Sequence, residues 1–160
     1  VMPVDRTALI GRPLRDATYA VSEVDVNDFL GVVTEPEVMA GAAAEDLASA
    51  GDDAMTALPR AVPPSFAPFV AVLGLLKTFD WQEDFLFDYR TGTAMFGEQS
   101  IEFHRPLMVG QSVAISAEIS DVYEKHGKQT FDVVEVTFDI KTGEEGELLM
   151  SGQQSYILFK

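Results

Sequence analysis

Few side chains in this sequence could carry out acid–base or metal chemistry, and His104 is the foremost of them. The chain contains two histidines, His104 and His126, and no cysteine. Without cysteine there can be no disulfide, no thiolate nucleophile and no cysteine-ligated metal. The two histidines are also too far apart for a metal motif such as H-E-x-x-H, so we expect neither a metal site nor a cofactor. His104 could act as a general acid or base, or it could be a strand residue that bonds to a neighbour.

The charge balance of the chain is strongly acidic. Its 160 residues include 11 Lys and Arg and 26 Asp and Glu, which gives a net charge of −15. A field of this sign repels DNA and anionic membranes, and the sequence contains no local basic patch, so we expect neither as a partner. Arg105 is one of the few cations and could bind a phosphate, although an ion pair with a nearby carboxylate is the favoured interpretation. The acidity itself is expected to serve solubility.

The length of the chain indicates a single domain over residues 1–160. No apolar run approaches the ~20 residues of a membrane span, and Asp5 and Arg6 stand where a signal peptide would be apolar. We therefore expect a soluble cytoplasmic protein. Residues 35–61 carry few large apolar side chains and are expected to form a helical or mobile insertion.

The secondary structure that positions the candidate side chains is predicted to change along the chain, from mainly helical in the first half to strands in the second half. The segment Ala17–Val24 partly alternates and predicts a first strand, and Ser22 is placed to cap a following helix. The segment Phe66–Leu76 is apolar on every side, which predicts a buried central helix with Ser65 as its N-cap. The aromatic residues after this helix could line a tunnel or, as we favour, join the core; they are Trp81, Phe85, Phe87 and Tyr89.

The second half of the chain predicts an antiparallel sheet. From Met95 onward, apolar and polar residues alternate in four segments, with turn signals at Arg105-Pro106, at His126-Gly127-Lys128 and at Thr142–Gly146. Short connections of this kind favour an antiparallel meander of four strands, with His126 exposed in one of the turns. The simplest packing lays the apolar helix across the apolar face of a curled sheet, which is an α+β hotdog fold.

Four segments of the chain also resemble, in the right order, the motifs of a known family. The longest, Phe96–Gly110, resembles the pattern G-x-x-x-[FI]-x-[FY]-x-[RK]-P-[LI]-x-x-G. The segments Asp121–Gly127, Gly143–Leu148 and Val62–Phe66 resemble D-V-Y-E-x-x-G, D/E-x-G-E-L and A-P-P-T-F. The chain thus resembles the MaoC-like dehydratases, in their FAS1-like hotdog subclass, and has the layout of the accessory subunit of (3R)-hydroxyacyl-ACP dehydratases.

This resemblance implies a protein that handles acyl thioesters of CoA or of an acyl carrier protein. Such dehydratases hydrate trans-2-enoyl thioesters to (3R)-3-hydroxyacyl thioesters, or run the reverse reaction. Backbone N–H groups at the start of their central helix polarise the thioester carbonyl, which implies a substrate-binding role here for Pro64, Ser65 and Phe66. Ordinary capping by the Ser65 hydroxyl is the equal alternative. Arg105 would hold a phosphate of the CoA or the carrier protein.

The sequence departs from this family at its catalytic motif. Active members carry D-x-N-P-x-H just after the first helix, but the corresponding stretch, Asp28–Val38, lacks it, and no histidine precedes His104. The resemblance therefore predicts an accessory subunit that binds the acyl chain and forms a homo- or heterodimer with a hotdog protomer carrying that motif. Two alternatives remain open: a self-sufficient hydratase that uses His104 with a carboxylate, and a non-enzymatic acyl-thioester-binding or scaffold dimer. The carboxylates near the missing motif are expected to be solvated; they are Asp25, Asp28 and Glu35.

Overall fold

An antiparallel sheet with helices on its inner face makes up the computed structural model, which describes residues 4–33, 60–143 and 146–159. The strands are β1 (Ala17–Ala20), β2 (Thr93–Phe103), β3 (Ser112–His126), β4 (Thr130–Lys141) and β5 (Leu148–Phe159). The helices are α1 (Glu23–Val33), α2 (Ala67–Leu75) and α3 (Trp81–Asp84), and a 3-10 turn, Pro64–Phe66, leads into α2. The predicted insertion at 35–61 lies outside the described residues except for its last two.

The first strand begins where the sequence predicts it but ends at Ala20 and not at Val24, and the first helix follows Ser22 as predicted. β1 pairs with β3, and α1 follows after two residues. The Ser22 hydroxyl accepts hydrogen bonds from the N–H groups of Val24 and Asp25, at 3.2 and 3.4 Å. The predicted serine cap is therefore confirmed, because it satisfies N–H groups that have no partner within the helix.

The strand order is β1-β3-β4-β5-β2, so the predicted four-strand meander is only partly right. The strands β3, β4 and β5 are neighbours in the sheet in the order of the chain, as expected. β2 does not pair with β3, however, because β1 occupies that edge; it lies at the opposite edge of the sheet and pairs with β5. The connection at 104–111, with Pro106 in it, is longer than a hairpin turn and crosses to the other edge.

The inner face of the sheet forms the core. On β4, alternate side chains are buried, and they include Val134, Val136, Phe138 and Ile140. α2 lies across this face and contacts β1 and β3. The approach is close at Gly74, where an added Cβ would lie 2.5 Å from Cδ1 of Ile115. The predicted α+β arrangement, a helix held across a curled sheet, is confirmed.

The central helix is buried on one side only, which corrects the prediction of a fully buried helix. Val70, Ala71 and Leu75 are buried against the sheet. Phe69 and Leu73, by contrast, remain 50% and 42% exposed. A single sheet covers only one side of a helix. The apolar side chains on the other side of α2 are therefore not covered by the described residues.

A buried arginine holds the loop after α3 against the sheet. The Arg6 side chain pairs with Asp132 on β4 and donates from Nε to the Phe85 carbonyl at 2.8 Å and from Nη2 to the Leu86 carbonyl at 3.1 Å. These contacts fix the aromatic segment that follows α3. Its predicted place in the core is confirmed for Phe85 and Phe87.

Two other aromatic residues of this segment are less buried. Trp81 is half-buried, and its ring contacts the rings of Phe79, Phe85 and Tyr156. Tyr89 is 68% exposed, so the prediction that it joins the core is wrong. It lies within the turn that is closed by the N–H of Thr91, which donates to the Asp88 carbonyl at 3.0 Å.

Candidate functional site

An apolar cleft of about 500 Å³ opens between the start of the central helix and the end of β2. Pro64 and Ala67 line it on the helix side, and Phe103–Leu107 line it on the strand side. The cleft therefore brings together three residues that the sequence predicts as functional, Pro64, His104 and Arg105. Its size is within the range of small-molecule sites, which are usually concave and mostly apolar.

Backbone pairing ties the two walls of the cleft together. The N–H of Val62 donates to the Leu107 carbonyl at 2.7 Å, and the N–H of Val109 donates to the Arg60 carbonyl at 2.8 Å. Ala61 and Met108 form an isolated antiparallel bridge between these bonds. The segment that enters the helix and the segment that leaves β2 are thus held at a fixed separation.

His104 stands at the rim of the cleft as an exposed residue just after β2. Its backbone N–H donates to the Leu149 carbonyl at 2.9 Å, and its ring Nε2 lies 2.8 Å from Oγ of Ser151. The ring therefore contacts a hydroxyl rather than a carboxylate. In an Asp–His pair the carboxylate orients the imidazole and stabilises its positive charge, and the contact with Ser151 supplies no carboxylate.

Arg105 forms an ion pair at the same rim. Its Nη2 lies 3.1 Å from Oε1 of Glu147, and the two side chains are 57% and 63% exposed. Exposed pairs of this kind contribute about 0–1 kcal/mol, so the guanidinium can exchange Glu147 for another anion. The favoured interpretation, an ion pair, agrees with the structure.

The helix start differs from the prediction in two respects. Ser65 is not the N-cap, because Pro63 precedes the 3-10 turn, Phe66 precedes α2, and neither junction has a side-chain cap. The N–H of Phe66, predicted as a donor to the thioester, instead donates to the Pro63 carbonyl at 2.8 Å. Pro64 has no N–H to offer, so the backbone N–H of Ser65 is the donor that remains of the predicted set. The Phe66 side chain is buried and packs edge-on against Phe29.

The remaining predicted side chains lie away from the cleft. Asp25 and Asp28 are exposed on α1, as expected, while Glu35 lies outside the described residues. His126 ends β3, is 74% exposed, and lies 3.2 Å from Glu124. In the described parts of the chain, no three Asp, Glu or His side chains converge as metal ligands. Nor is any helix there long and apolar enough to cross a membrane.

A second cavity, about 360 Å³, lies on the outer face of the sheet. At its centre, Glu135 accepts hydrogen bonds from the Tyr123 hydroxyl at 3.0 Å and from Nε2 of Gln153. Burial and the neighbouring Glu135 carboxylate raise the pKa of Tyr123 above its usual range. This network is internally satisfied and contains none of the predicted site residues.

Two buried polar groups on the inner face were missed by the sequence interpretation. Nε2 of Gln99 and the hydroxyl of Tyr156 are buried and have no hydrogen-bond partner among the described residues. The sequence did contain a signal for Gln99, because it occupies a position that alternates with apolar Ile101 and Phe103. Tyr156 gave no such signal, since tyrosine is common in strands.

Solved structures with the same architecture identify the fold. Structural alignment matches the C-terminally truncated HadBC (3R-hydroxyacyl-ACP dehydratase) complex from Mycobacterium tuberculosis with a TM-score of 0.59 and 22% identity, covering 96% of this chain and 99% of that one. The monoamine oxidase regulatory protein from Archaeoglobus fulgius matches with a TM-score of 0.61, 17% identity and coverage of 99% and 95%. The ChsH1-ChsH2 complex from M. tuberculosis matches with a TM-score of 0.57, 20% identity and coverage of 97% and 86%. The fold is the hotdog fold.

The sequence places the chain within one family of that fold. A family model described as "FAS1-like, dehydratase domain region" matches residues 8–151. The chain therefore belongs to this family of MaoC-like hotdog dehydratases. No curated protein matches the chain significantly.

Proposed function

We propose that the chain is an acyl-thioester-binding subunit of a (3R)-3-hydroxyacyl-thioester dehydratase, or trans-2-enoyl-thioester hydratase, whose catalytic Asp–His pair is on a second hotdog protomer. The observation that carries this proposal is the apolar cleft at the start of α2. It has the size and lining for an acyl group, but the histidine at its rim contacts Ser151 and not a carboxylate. The residues of the cleft are therefore suited to binding rather than to proton transfer.

Different residues of the cleft would contact the acyl group, the thioester carbonyl and the phosphate of the ligand. The acyl group would lie against Phe103, Leu107 and Ala67, which are apolar. The thioester carbonyl would accept a hydrogen bond from the N–H of Ser65, near the positive end of the α2 dipole. A phosphate of CoA or of a carrier protein would displace Glu147 from Arg105, because an exposed ion pair is weak.

Two uncovered surfaces support a second protomer. One is the exposed apolar side of α2, which comprises Phe69 and Leu73, together with Leu76 directly after the helix. The other is β2, which lies at the edge of the sheet and has one side of its backbone unpaired within the described strands. Exposed edges and apolar patches are usually covered by another chain. The HadBC and ChsH1-ChsH2 structures, which share this fold, are complexes of two proteins.

Hydration of crotonyl-CoA by the purified chain tests the catalytic part of the proposal. We expect no enzymatic turnover by the chain alone, and turnover after addition of a hotdog protomer that carries D-x-N-P-x-H. Turnover by the chain alone at an ordinary enzymatic rate, on the order of 1 s⁻¹ or more, together with its loss in His104→Ala, would favour a self-sufficient hydratase. Binding without turnover in any mixture would favour a non-enzymatic binding protein.

A pair of arginine variants tests the binding part of the proposal. Arg105→Gln should weaken the binding of crotonyl-CoA about fivefold, because one charge-assisted phosphate contact is lost. The same acyl group on N-acetylcysteamine has no phosphate, so its binding should be unchanged. Arg90→Gln is the matched control, since Arg90 is also exposed and paired with a carboxylate, Asp88, at 2.9 Å. Equal losses in the two variants, or a loss with the phosphate-free thioester, would contradict the assigned role of Arg105.

A further inference from the structure

The cavity on the outer face of the sheet contains a half-buried carboxylate that has hydrogen bonds but no cation. Glu135 accepts from the Tyr123 hydroxyl at 3.0 Å and from Nε2 of Gln153, and both donors are neutral. None of the ion pairs among the described residues includes Glu135. A carboxylate has about four lone-pair positions, so these two bonds leave it able to accept others. Its negative charge is the part that its neighbours do not balance.

The surroundings of this carboxylate are also acidic. Glu98 lines the same cavity, and Asp121 pairs with Glu135 across β3 and β4. Burial, the bond to Glu135 and the charges of Glu135, Asp121 and Glu98 together raise the pKa of Tyr123. Of the described residues that line the cavity, Lys125 alone carries a positive charge. Its ammonium group lies 5.3 Å from the centroid of the Tyr123 ring and does not pair with Glu135.

The remaining lining of the cavity is largely apolar. Val133 faces away from the helices and lies outside the cluster that forms the core, yet it is only 4% exposed. Ile157 and Phe131 line the cavity beside it, and the Phe131 ring packs against the Phe159 ring at 5.2 Å. Aromatic ring faces attract cations, and the position of Lys125 over Tyr123 is an example inside this cavity. The cavity therefore offers apolar contact and a cation position side by side.

The bulge in β2 fixes one wall of this cavity. The N–H of Glu98 donates to Oγ of Ser155 at 2.7 Å, and that hydroxyl donates to the Glu98 carbonyl at 3.3 Å. Gly97 lies so close to Ser155 that an added Cβ would clash with Oγ. The bulge is thus held against β5, which keeps Glu98 at the edge of the cavity.

We propose that this cavity binds a small organic cation, namely a protonated amine that carries an aromatic or other apolar group. The ammonium group donates to Glu135 and replaces the ammonium of Lys125 beside the Tyr123 ring, while the apolar group lies against Val133 and Ile157. The volume of about 360 Å³ is within the range of small-molecule sites. This cavity shares no lining residue with the apolar cleft, so the inference does not depend on the binding of an acyl thioester.

Benzylamine is the probe, and benzyl alcohol is its neutral counterpart of the same size. Both are titrated into the purified, ¹⁵N-labelled chain, and binding is followed by NMR chemical shifts. We expect benzylamine to bind with a dissociation constant on the order of 1 mM, with the largest shifts at the backbone amides of Glu98, Tyr123 and Glu135. Benzyl alcohol should bind about tenfold more weakly, because it cannot neutralise the carboxylate.

Two substitutions with opposite expected effects test where the amine lies. Glu135→Gln should weaken the binding of benzylamine about tenfold, whereas Asp139→Asn, with the same change in net charge on the same face of β4, should leave it unchanged. Lys125→Met should strengthen the binding about threefold, because it removes the competing ammonium from the Tyr123 ring. Lys128→Met is its matched control, since Lys128 is also exposed but does not line the cavity.

Three results would overturn the proposal. The first is benzylamine binding that does not saturate below about 10 mM, or that benzyl alcohol equals. The second is an equal loss in Glu135→Gln and Asp139→Asn, which would mean that the amine responds only to the overall acidity of the chain. The third is unchanged or weaker binding in Lys125→Met, which would mean that the amine does not lie beside Tyr123. Lys125 is exposed, so this last test does not depend on how Glu135→Gln folds.

Discussion

Replacing Tyr156 by phenylalanine tests the central physical argument about the inner face. The substitution removes one hydroxyl and keeps the ring, which packs against Phe79, Phe85, Trp81 and Phe96 with centroid separations of 5.2–5.5 Å. The hydroxyl has no partner among the described residues, so its removal should relieve a desolvation penalty and break no hydrogen bond within that part of the chain. With that penalty at about 1–3 kcal/mol, the free energy of unfolding of the ligand-free chain should rise by about 1 kcal/mol or more.

The same substitution at Tyr123 should have the opposite sign. The Tyr123 hydroxyl donates to Oε1 of Glu135 at 3.0 Å, and a hydrogen bond of this kind contributes about 0.5–1.5 kcal/mol. Tyr123→Phe should therefore lower the free energy of unfolding by a similar amount. The two variants differ in position on one sheet and not in chemistry, so the contrast in sign isolates the effect of the partner.

Urea unfolding followed by circular dichroism measures both variants, and thermal unfolding gives a second reading. For a domain of this size, about 1 kcal/mol shifts the Tm by roughly 2–4 °C. The reasoning is refuted if Tyr156→Phe lowers stability as much as Tyr123→Phe does. That result would mean that the Tyr156 hydroxyl already has a partner in the folded chain.

Three further substitutions test how the site is held in place. Arg6→Met should lower the free energy of unfolding by about 3–5 kcal/mol in urea titrations, because it removes one member of the buried pair with Asp132, and a double-mutant cycle with Asp132→Asn should reveal strong coupling. Independent, additive losses would contradict that account. Gly152→Ala should cost about 3 kcal/mol or more, because its Cβ would lie 2.2 Å from the Ser100 carbonyl oxygen and force β2 away from β5. Its control is Gly31→Ala on α1, where an added Cβ meets none of the described residues within 4 Å and should stabilise the chain by up to about 1 kcal/mol. Asp80 caps α3, and the N–H groups of Glu83 and Gln82 hold its pKa below the ordinary value. The stabilisation by this carboxylate is therefore present above the ordinary pKa of about 3.9 and is lost as the pH falls through the lower folded value. Asp80→Ala should lower the Tm at pH 7 and have a vanishing effect near about pH 2, and an effect that is constant with pH would contradict the assignment.

Local patterns in the sequence were sufficient for α1, α2 and the strands β3, β4 and β5. The alternation in β3, β4 and β5, the apolar run that becomes α2, and Ser22 before α1 each depend on neighbours within a few residues. The motif segments likewise indicated the family, because Phe96–Gly110 and Val62–Phe66 have the residue types of the family's motifs at the same spacing. The sequence also places His104 and Arg105 directly before Pro106, where the predicted strand must end. It therefore indicated that both residues lie at the end of β2.

The arrangement of the site depended on contacts between distant segments. β2 lies beside β5 and not beside β3, because β1 fills the edge of β3, and no local pattern reports which edge is occupied. Ser65 does not cap the helix, because the 3-10 turn satisfies the N–H of Phe66 with the Pro63 carbonyl. The bulge between Phe96 and Gln99 decides which face each later side chain of β2 occupies.

By itself, the sequence determined the class of fold, the family, and the lack of D-x-N-P-x-H in the chain. These follow from residue types and short spacings, which act through local backbone preferences and local hydrophobic periodicity. Only the tertiary structure decided that Pro64, His104 and Arg105 meet in one cleft, that His104 contacts Ser151, and that Gln99 and Tyr156 share the inner face. Those outcomes depend on strand register, and register is set by pairing between segments about 50 residues apart in the chain, such as β2 and β5.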